Sequence, residues 1–488
     1  MIEIMIDLQG GDKTPLYEKI YNHIKNEITE GKIHTGEKLP STRLLAGNLA
    51  VSRSTVEMAY DQLLAEGYIK SEPCRGFFVC DITELYQLKP EETRVAHVKK
   101  REEQDMCLVD FSPYAIDTKS FPYNIWRKIS KNVLMDDSEE LLLSGDGQGD
   151  WELRSVIASY LHHARGVECS PADMILGAGN EYLEILLTQL LGRERTILME
   201  NPGYPQAYHT FSNMGYHVVT VPASPMGLDG ACVKACDPDL VYMMPSHQFP
   251  LGSVMPLRQR LELLKWAAEA EERYLIEDDH DSEYRYRGKP IPSLQSVDRF
   301  GKVIYLGTFS KSIAPSLRIS YMVLPPQLME RYRERCGFFS TTVPRMQQDI
   351  LKEFIQEGHF ERHLNKMRGV YRSRHDFLLG ELKKRRWVRD IRGEHAGLHF
   401  LVEVDSDRSE EDICRQALLR GVKISGICEY RLDKDKKQTW NEVSVDRENT
   451  APILLLGYGK LSESEIRTGL LVMDDIFNEH QGGEKNDV

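Results

Sequence analysis

The sequence predicts an α/β protein in two parts, a small helical head and a larger body in which strands alternate with helices. Three observations carry this expectation. The chain has 488 residues, more than one domain usually holds. Residues 1–80 read as helix, helix, tight turn, helix and hairpin, the order of a winged helix-turn-helix. Beyond residue 109, apolar runs of strand length at 175–176, 196–199, 240–244, 274–276 and 303–306 are separated by helical stretches such as 257–270. Such alternation predicts a largely parallel sheet.

In the head, Thr14-Pro15 is a helix start, with threonine as the cap and proline in the first turn. Leu16, Ile20, Ile24 and Ile28 recur every four residues and make one apolar face, which Gly31 ends. Residues 40–43, Pro-Ser-Thr-Arg, open a second short helix over 44–50. A third helix follows the turn at 51–56, with Val56, Ala59, Tyr60, Leu63 and Leu64 as its core face. Residues 69–70 and 77–79 predict two short strands around Pro73-Cys74-Arg75-Gly76. Ser52, Arg53, Ser54 and Thr55 stand at the start of the third helix, the position that enters the major groove of double-stranded DNA. Arginine there can read guanine, and hydroxyls can hold phosphate. Arg43 begins the second helix and Arg75 tips the wing. The competing reading is a protein-interaction module with solvated arginines. Residues 1–80 carry nine Lys+Arg against eleven Asp+Glu, so no basic stripe shows in the totals. The charges do segregate, since 40–56 hold two arginines and no acid.

Residues 81–108 are expected to be a linker, because 89–105 are rich in Glu, Lys and Arg and poor in large apolar side chains. The net charge of −13 implies no global attraction to nucleic acid. Nine cysteines include no CxxC pair and no zinc-type spacing, which fits a reducing cytoplasm and no metal centre. No apolar run approaches membrane-spanning length.

In the body, residues 302–324 are the organising stretch. A strand ends at Gly307 in a hydroxyl-rich turn, Thr308-Phe309-Ser310, that carries Lys311, and Arg318 follows before a second apolar run. A lysine at the end of a buried strand is costly unless something uses it. Hydroxyls and an arginine beside it make a phosphate cradle. Lysine plus phosphate cradle is the chemistry of a pyridoxal phosphate Schiff base; a surface Ser/Lys loop is the plainer alternative. Residues 274–286 place four acids within five positions, 277–281, at the end of another strand, where a carboxylate can pair with a pyridine nitrogen. At 175–181, strand, glycine turn and helix start offer backbone N–H groups to a phosphate.

The wording of 247–252 (HQFPLG), 277–286 (EDDHDSEYRY) and 307–318 (GTFSKSIAPSLR) resembles the MocR family, and LPSTRLLA, VSRSTV and AEGYI in the head are similar to GntR-type domains. That family joins a GntR-type winged helix-turn-helix to a fold-type I aminotransferase-like domain, with a large parallel-sheet part and a small α+β part. The resemblance implies a head at 1–80 and a body at 109–488 whose small subdomain runs from about 388 to 477. It also implies pyridoxal 5'-phosphate as cofactor. Lys311 matches the Schiff-base lysine and Asp278 the partner of the pyridine nitrogen. Thr308, Ser310 and Arg318 match the phosphate cradle, which Gly179 and Asn180 complete. Tyr204 stands where an aromatic stacks on the ring, and His280 where a tyrosine usually meets the phenolic oxygen.

The chain departs from the family in several places. Ser144 replaces a tyrosine that often reaches the partner subunit's phosphate, and Phe249 stands where aminotransferases have an asparagine. Leu455 occupies the place of an arginine that can clamp a carboxylate; Arg431 could supply an effector contact instead, or be a surface residue. An enzyme must position two substrates in turn, whereas a sensor need only let an amine exchange at Lys311 and shift a conformational equilibrium. The expectation is therefore a cytoplasmic, homodimeric, DNA-binding transcription regulator that senses pyridoxal phosphate or an amino compound through an aldimine at Lys311. A genuine aminotransferase with a DNA-binding head, and a repressor whose cofactor fold is a vestigial scaffold, are the alternatives.

Overall fold

The computed structural model describes residues 4, 6, 14–81, 108–135, 139–286, 291–432 and 451–481. The chain divides into two compact units, Met1–Arg101 and Glu102–Val488. The expected linker lies outside the described residues except for Asp81 and Leu108.

The first unit contains the helices α1 (Leu16–Thr29), α2 (Thr42–Leu49) and α3 (Arg53–Ala65) and the hairpin β1 (Ile69–Glu72) to β2 (Gly76–Val79). Ile20, Ile24 and Ile28 are buried as their spacing predicts, while Leu16 at the helix end is exposed. Pro15, rather than Thr14, occupies the cap position of α1. Val56, Ala59, Tyr60 and Leu63 bury the inner face of α3, and Leu64 is half-buried at its margin. The Tyr60 hydroxyl donates to the Pro40 carbonyl at 2.9 Å and so ties the start of α2 to α3. Lys38 bridges to Phe78, which fixes the wing to the turn before α2.

The second unit is built on a seven-stranded sheet and a four-stranded sheet. It begins with β3 (Val109–Asp110), which pairs in parallel with β13 (Val422–Lys423). The large sheet takes β4 (Met174–Gly177), β5 (Thr196–Asn201), β6 (His217–Pro222), β7 (Leu240–Met243), β8 (Tyr274–Asp279), β9 (Val303–Thr308) and β10 (Ser320–Val323), in the spatial order β4-β10-β9-β8-β7-β5-β6. The pairings among β5 to β9 are parallel, but β10 runs antiparallel to both β9 and β4. The segment between β9 and β10 is too short to carry the crossover helix that a parallel neighbour needs. The sheet is therefore mixed, a refinement of the expected parallel one. Strands β4, β7, β8 and β10 are buried along their length, as expected of a sheet covered on both faces, while the edge strand β6 is partly exposed.

The smaller sheet takes β11 (Val388–Arg392), β12 (His399–Val404), β14 (Ser425–Gly426) and β15 (Ile453–Gly457), and is antiparallel in the order β11-β12-β15-β14. Gly457 is pressed against the chain preceding it: a Cβ there would lie 2.3 Å from the Ser112 carbonyl oxygen. Backbone cannot yield as a side-chain tip can. Gly457→Ala is expected to cost about 1–3 kcal/mol by overpacking, read as a lower urea unfolding midpoint. Among the described residues, no helix is long and apolar enough to cross a membrane.

Candidate functional site

In the first unit, the start of α3 is shaped by its own side chains. Ser52 caps the helix by accepting the Thr55 N–H at 3.2 Å, and its hydroxyl also meets those of Ser54 at 2.9 Å and Thr55 at 2.7 Å. Ser41 caps α2 in the same way, accepting from Leu44 N–H at 3.2 Å. Arg43, Ser52, Arg53 and Ser54 are exposed and Thr55 is half-buried. Arg53 pairs with Glu57 at 2.8 Å on the helix surface. Arg75 is exposed at the wing, 2.5 Å from Glu72 and 5.3 Å over the Phe78 ring. Lys38 joins that wing, 5.9 Å over the same ring, and sequence reading did not single it out.

The second unit holds a cavity of about 360 Å³. Gly179, Asn180, Tyr204, Asp278, His280, Thr308, Ser310, Lys311 and Arg318 all line it. They come from four separate parts of the chain. Gly179 caps the helix Asn180–Leu191 at φ +103°, and a Cβ on it would meet the Arg318 guanidinium at 2.2 Å. The first-turn N–H groups of that helix have no intrahelical acceptor, so its start favours an anion. Arg318 itself has φ +51°, a left-handed backbone that a residue with a Cβ adopts only at a cost. Its guanidinium donates to Glu181 at 2.8 Å and to the Ala178 carbonyl at 3.1 Å. Thr308 donates to Ser310 at 2.9 Å and accepts from Ser320 at 2.9 Å.

The acid-rich end of β8 is sorted by strand alternation. Glu277 accepts the backbone N–H groups of Leu294 and Gln295 at 2.7 and 2.9 Å, and Asp279 accepts from Arg165 at 2.7 Å and Tyr305 at 2.5 Å. Asp278 and His280, at the intervening positions, line the cavity instead. Asp278 accepts from the Tyr242 hydroxyl and from Asn180 at 3.3 Å. Burial pushes its carboxyl above the ordinary value despite the His280 charge and the Tyr242 hydrogen bond. Among the described residues, buried His280 Nε2 and Asn180 Oδ1 have no hydrogen-bond partner. The Lys311 ammonium lies 3.7 Å from Asp281 and 6.0 Å from the centre of the Phe249 ring.

Several residues here were not assigned a role from sequence: Tyr114, Glu181, Tyr242, His247 and Asp281. Tyr242 lies within a strand that sequence marks only as apolar. His247 and Asp281 sit inside the two motif stretches, but their neighbours in the sequence are themselves polar, so nothing local marked them out. Tyr114 stands 5.3 Å from Phe249, and Tyr430 stands 5.1 Å from it, so an aromatic wall faces the lysine. Arg431 does not line the cavity. It is exposed, just past the short helix Ile427–Tyr430, and Tyr430 is the residue turned toward Phe249. Ser144 is also exposed, and Leu455 is buried in β15.

His399 is wholly buried, with its Nε2 2.8 Å from the Pro250 carbonyl oxygen. Burial and the nearby His247 charge push it down to about 3. An unfolded histidine titrates near 6.5, so below that pH the unfolded chain binds a proton that the folded chain refuses. The stability contribution is complete above pH 6.5 and falls as pH drops toward 3. Urea unfolding at pH 7 and pH 5 is expected to differ by about 2 kcal/mol from this group, and His399→Asn should remove that part of the slope.

Comparison with known proteins agrees with both units. Residues 16–79 match the family model for bacterial regulatory proteins of the gntR family, and residues 112–440 match aminotransferase class I and II. The uncharacterized HTH-type transcriptional regulator YdeL of Bacillus subtilis is 39% identical over 93% of this chain and 95% of its own length. The probable rhizopine catabolism regulatory protein MocR of Rhizobium meliloti is 32% identical over 97% of this chain and 96% of its own. The HTH-type pyridoxine biosynthesis transcriptional regulator PdxR of Corynebacterium glutamicum is 28% identical over 98% and 99%. In fold, the second unit is similar to Pyrococcus horikoshii kynurenine aminotransferase, with a TM-score of 0.66, 22% identity, and coverage of 78% of this chain and 92% of that one. The chain thus belongs to the MocR-type HTH transcriptional regulators, in which a GntR-family winged helix-turn-helix precedes a fold-type I aminotransferase domain.

Proposed function

We propose that this regulator binds operator DNA through its head and senses pyridoxal phosphate, or an amino compound exchanging with it, through a reversible covalent link at Lys311. The observation that carries this is the convergence of Lys311, Asp278, His280, Tyr204 and the Thr308, Ser310, Arg318 and Gly179 cradle on one cavity. The donor set suits the cofactor. The cradle supplies a helix N-terminus, two hydroxyls and a guanidinium for a phosphate. The Arg318–Glu181 pair is half-exposed, so little is lost when a phosphate dianion takes the arginine. Tyr204 offers a ring face, and Asp278 a buried carboxylate whose charge gains from a cationic partner. His280 Nε2, which stands 3.3 Å from Asp281 but makes no hydrogen bond among the described residues, is available to a phenolic oxygen.

When bound, pyridoxal phosphate supplies an aldehyde that condenses reversibly with an amine, next to an electron-poor ring. Lys311 holds the amine that an incoming amino compound would replace. Arg431 would have to swing inward to meet a carboxylate on that compound. The head would engage double-stranded DNA through Arg43, Ser52, Arg53, Ser54, Thr55 and Arg75. Paired heads of a cytoplasmic homodimer would suit paired half-sites. The exposed side chains Leu142, Leu143 and Phe338 supply apolar surface for a second copy of the chain.

A gel shift on DNA upstream of the gene, with and without pyridoxal phosphate and an amine panel, tests this reading. The expected result is a complex whose mobility or affinity responds to the small molecules in the wild type and not in Lys311→Ala. Absence of any DNA complex at moderate salt would overturn the regulatory half of the proposal. Steady turnover of an amino donor with a keto acid would overturn the sensor half.

A further inference from the structure

We infer that Asp281, held in place by His247, is the positioning residue for the Lys311 amine. The two oxygens of this buried carboxylate have different surroundings. Oδ1 lies 2.9 Å from His247 Nδ1 and 3.3 Å from His280 Nε2. Oδ2 is buried, has no hydrogen-bond partner among the described residues, and stands 3.7 Å from Lys311 Nζ. An unsatisfied buried carboxylate oxygen is costly in a scaffold that has no use for it. Here the orphaned oxygen is the one aimed at the lysine.

His247 cannot turn away from Asp281. A Cβ on Gly397 would lie 2.2 Å from His247 Cε1, and one on Gly252 would lie 3.3 Å from its Nε2. Both glycines have left-handed backbones, at φ +81° and φ +71°, so neither position readily takes a side chain. The imidazole is thus clamped between two stretches of chain while it holds the carboxylate. The groups facing Asp281 are His247, His280 and Lys311, with His399, Tyr286, Tyr458 and Glu283 farther out. Burial would raise the Asp281 carboxyl, but the positive charges of His247, His280 and Lys311 hold it well below the usual range. The carboxylate is therefore a standing negative charge beside the amine.

A carboxylate this close to the amine attracts its N–H groups and fixes their direction. Removing it should make the amine both freer and more reactive. The inference rests on Lys311 being the reacting amine of the proposed function, yet it is testable without cofactor or DNA. Full-length protein free of pyridoxal phosphate is pulsed with acetic anhydride near pH 7, and acetylation of Lys311 is read by mass spectrometry against the exposed Lys131. In Asp281→Asn, Lys311 is expected to react at least tenfold faster relative to Lys131, with a near-native melting temperature. His247→Gln, which keeps a donor for Asp281 but loses the clamp, should give a smaller increase. An unchanged ratio in a folded Asp281→Asn would overturn the inference. So would equal acceleration at the buried Lys302 (a sign of general loosening). If Asp281→Asn does not fold, an unchanged ratio in His247→Gln is the overturning result. Failure here would leave the cofactor link at Lys311 standing, because that link is read separately by borohydride trapping.

Discussion

Lys311→Ala is expected to abolish the borohydride-fixed adduct with pyridoxal phosphate, leaving none detectable by intact mass. Among the described residues lining the cavity, Lys311 is the sole lysine, so no neighbouring amine can replace it. The cradle of Thr308, Ser310, Gly179 and Arg318 survives the substitution, and non-covalent retention of the cofactor should persist with reduced affinity. That separates loss of chemistry from loss of the pocket. The fold should tolerate the change. Lys311 is half-buried, and Tyr284 reaches its backbone carbonyl at 3.0 Å rather than its side chain. A persistent adduct in the variant would move the assignment to another lysine and would undo the sensor reading. Operator binding without small molecules should be retained, and the response to added amine should be lost.

The second large effect is expected in the head. Arg43→Ala combined with Arg53→Ala should weaken operator binding by 10²-fold or more, since an arginine contact to base or phosphate carries about 1–3 kcal/mol. Arg53 forms a surface ion pair with Glu57, but both partners are largely exposed. An exposed pair on a helix contributes about 0.3–0.5 kcal/mol, too little to hold the arginine back from DNA. The Ser52 cap leaves the helix start intact when Arg53 is shortened. Stability should therefore change little, and the loss should appear in the gel shift and in a shallower salt dependence. Affinity within threefold of wild type would mean that the start of α3 does not face DNA.

The residues involved belong to different units of the chain and stood out in the sequence for different reasons. In the head, most of the information is local. The four-residue recurrence of Ile20, Ile24 and Ile28, the serine caps and the glycine stops specify helices within a dozen residues of themselves. In the body, Lys311 and Arg318 stood out in the sequence because a lysine and an arginine among hydroxyls at the end of a buried strand are costly without a use, and both line the cavity. Arg431 shows where that reasoning stops. A side chain one position past Tyr430 points elsewhere, and nothing local says which of the two turns inward.

The sequence by itself determined the helices and hairpin of the head and the strand–helix alternation of the body, and it marked the residue types of a candidate phosphate cradle. These are encoded by periodicity, turn chemistry and short motifs, all of which act over a few residues. Only the tertiary structure decided that β10 enters the large sheet antiparallel, that Tyr242 reaches Asp278, and that His247 and Asp281 meet beneath Lys311. Those contacts join residues 12 to 36 positions apart, and strand order, not local propensity, brings them together. A buried carboxylate is an ordinary aspartate in the sequence. It becomes a partner for the lysine because the fold leaves one of its oxygens with no other donor.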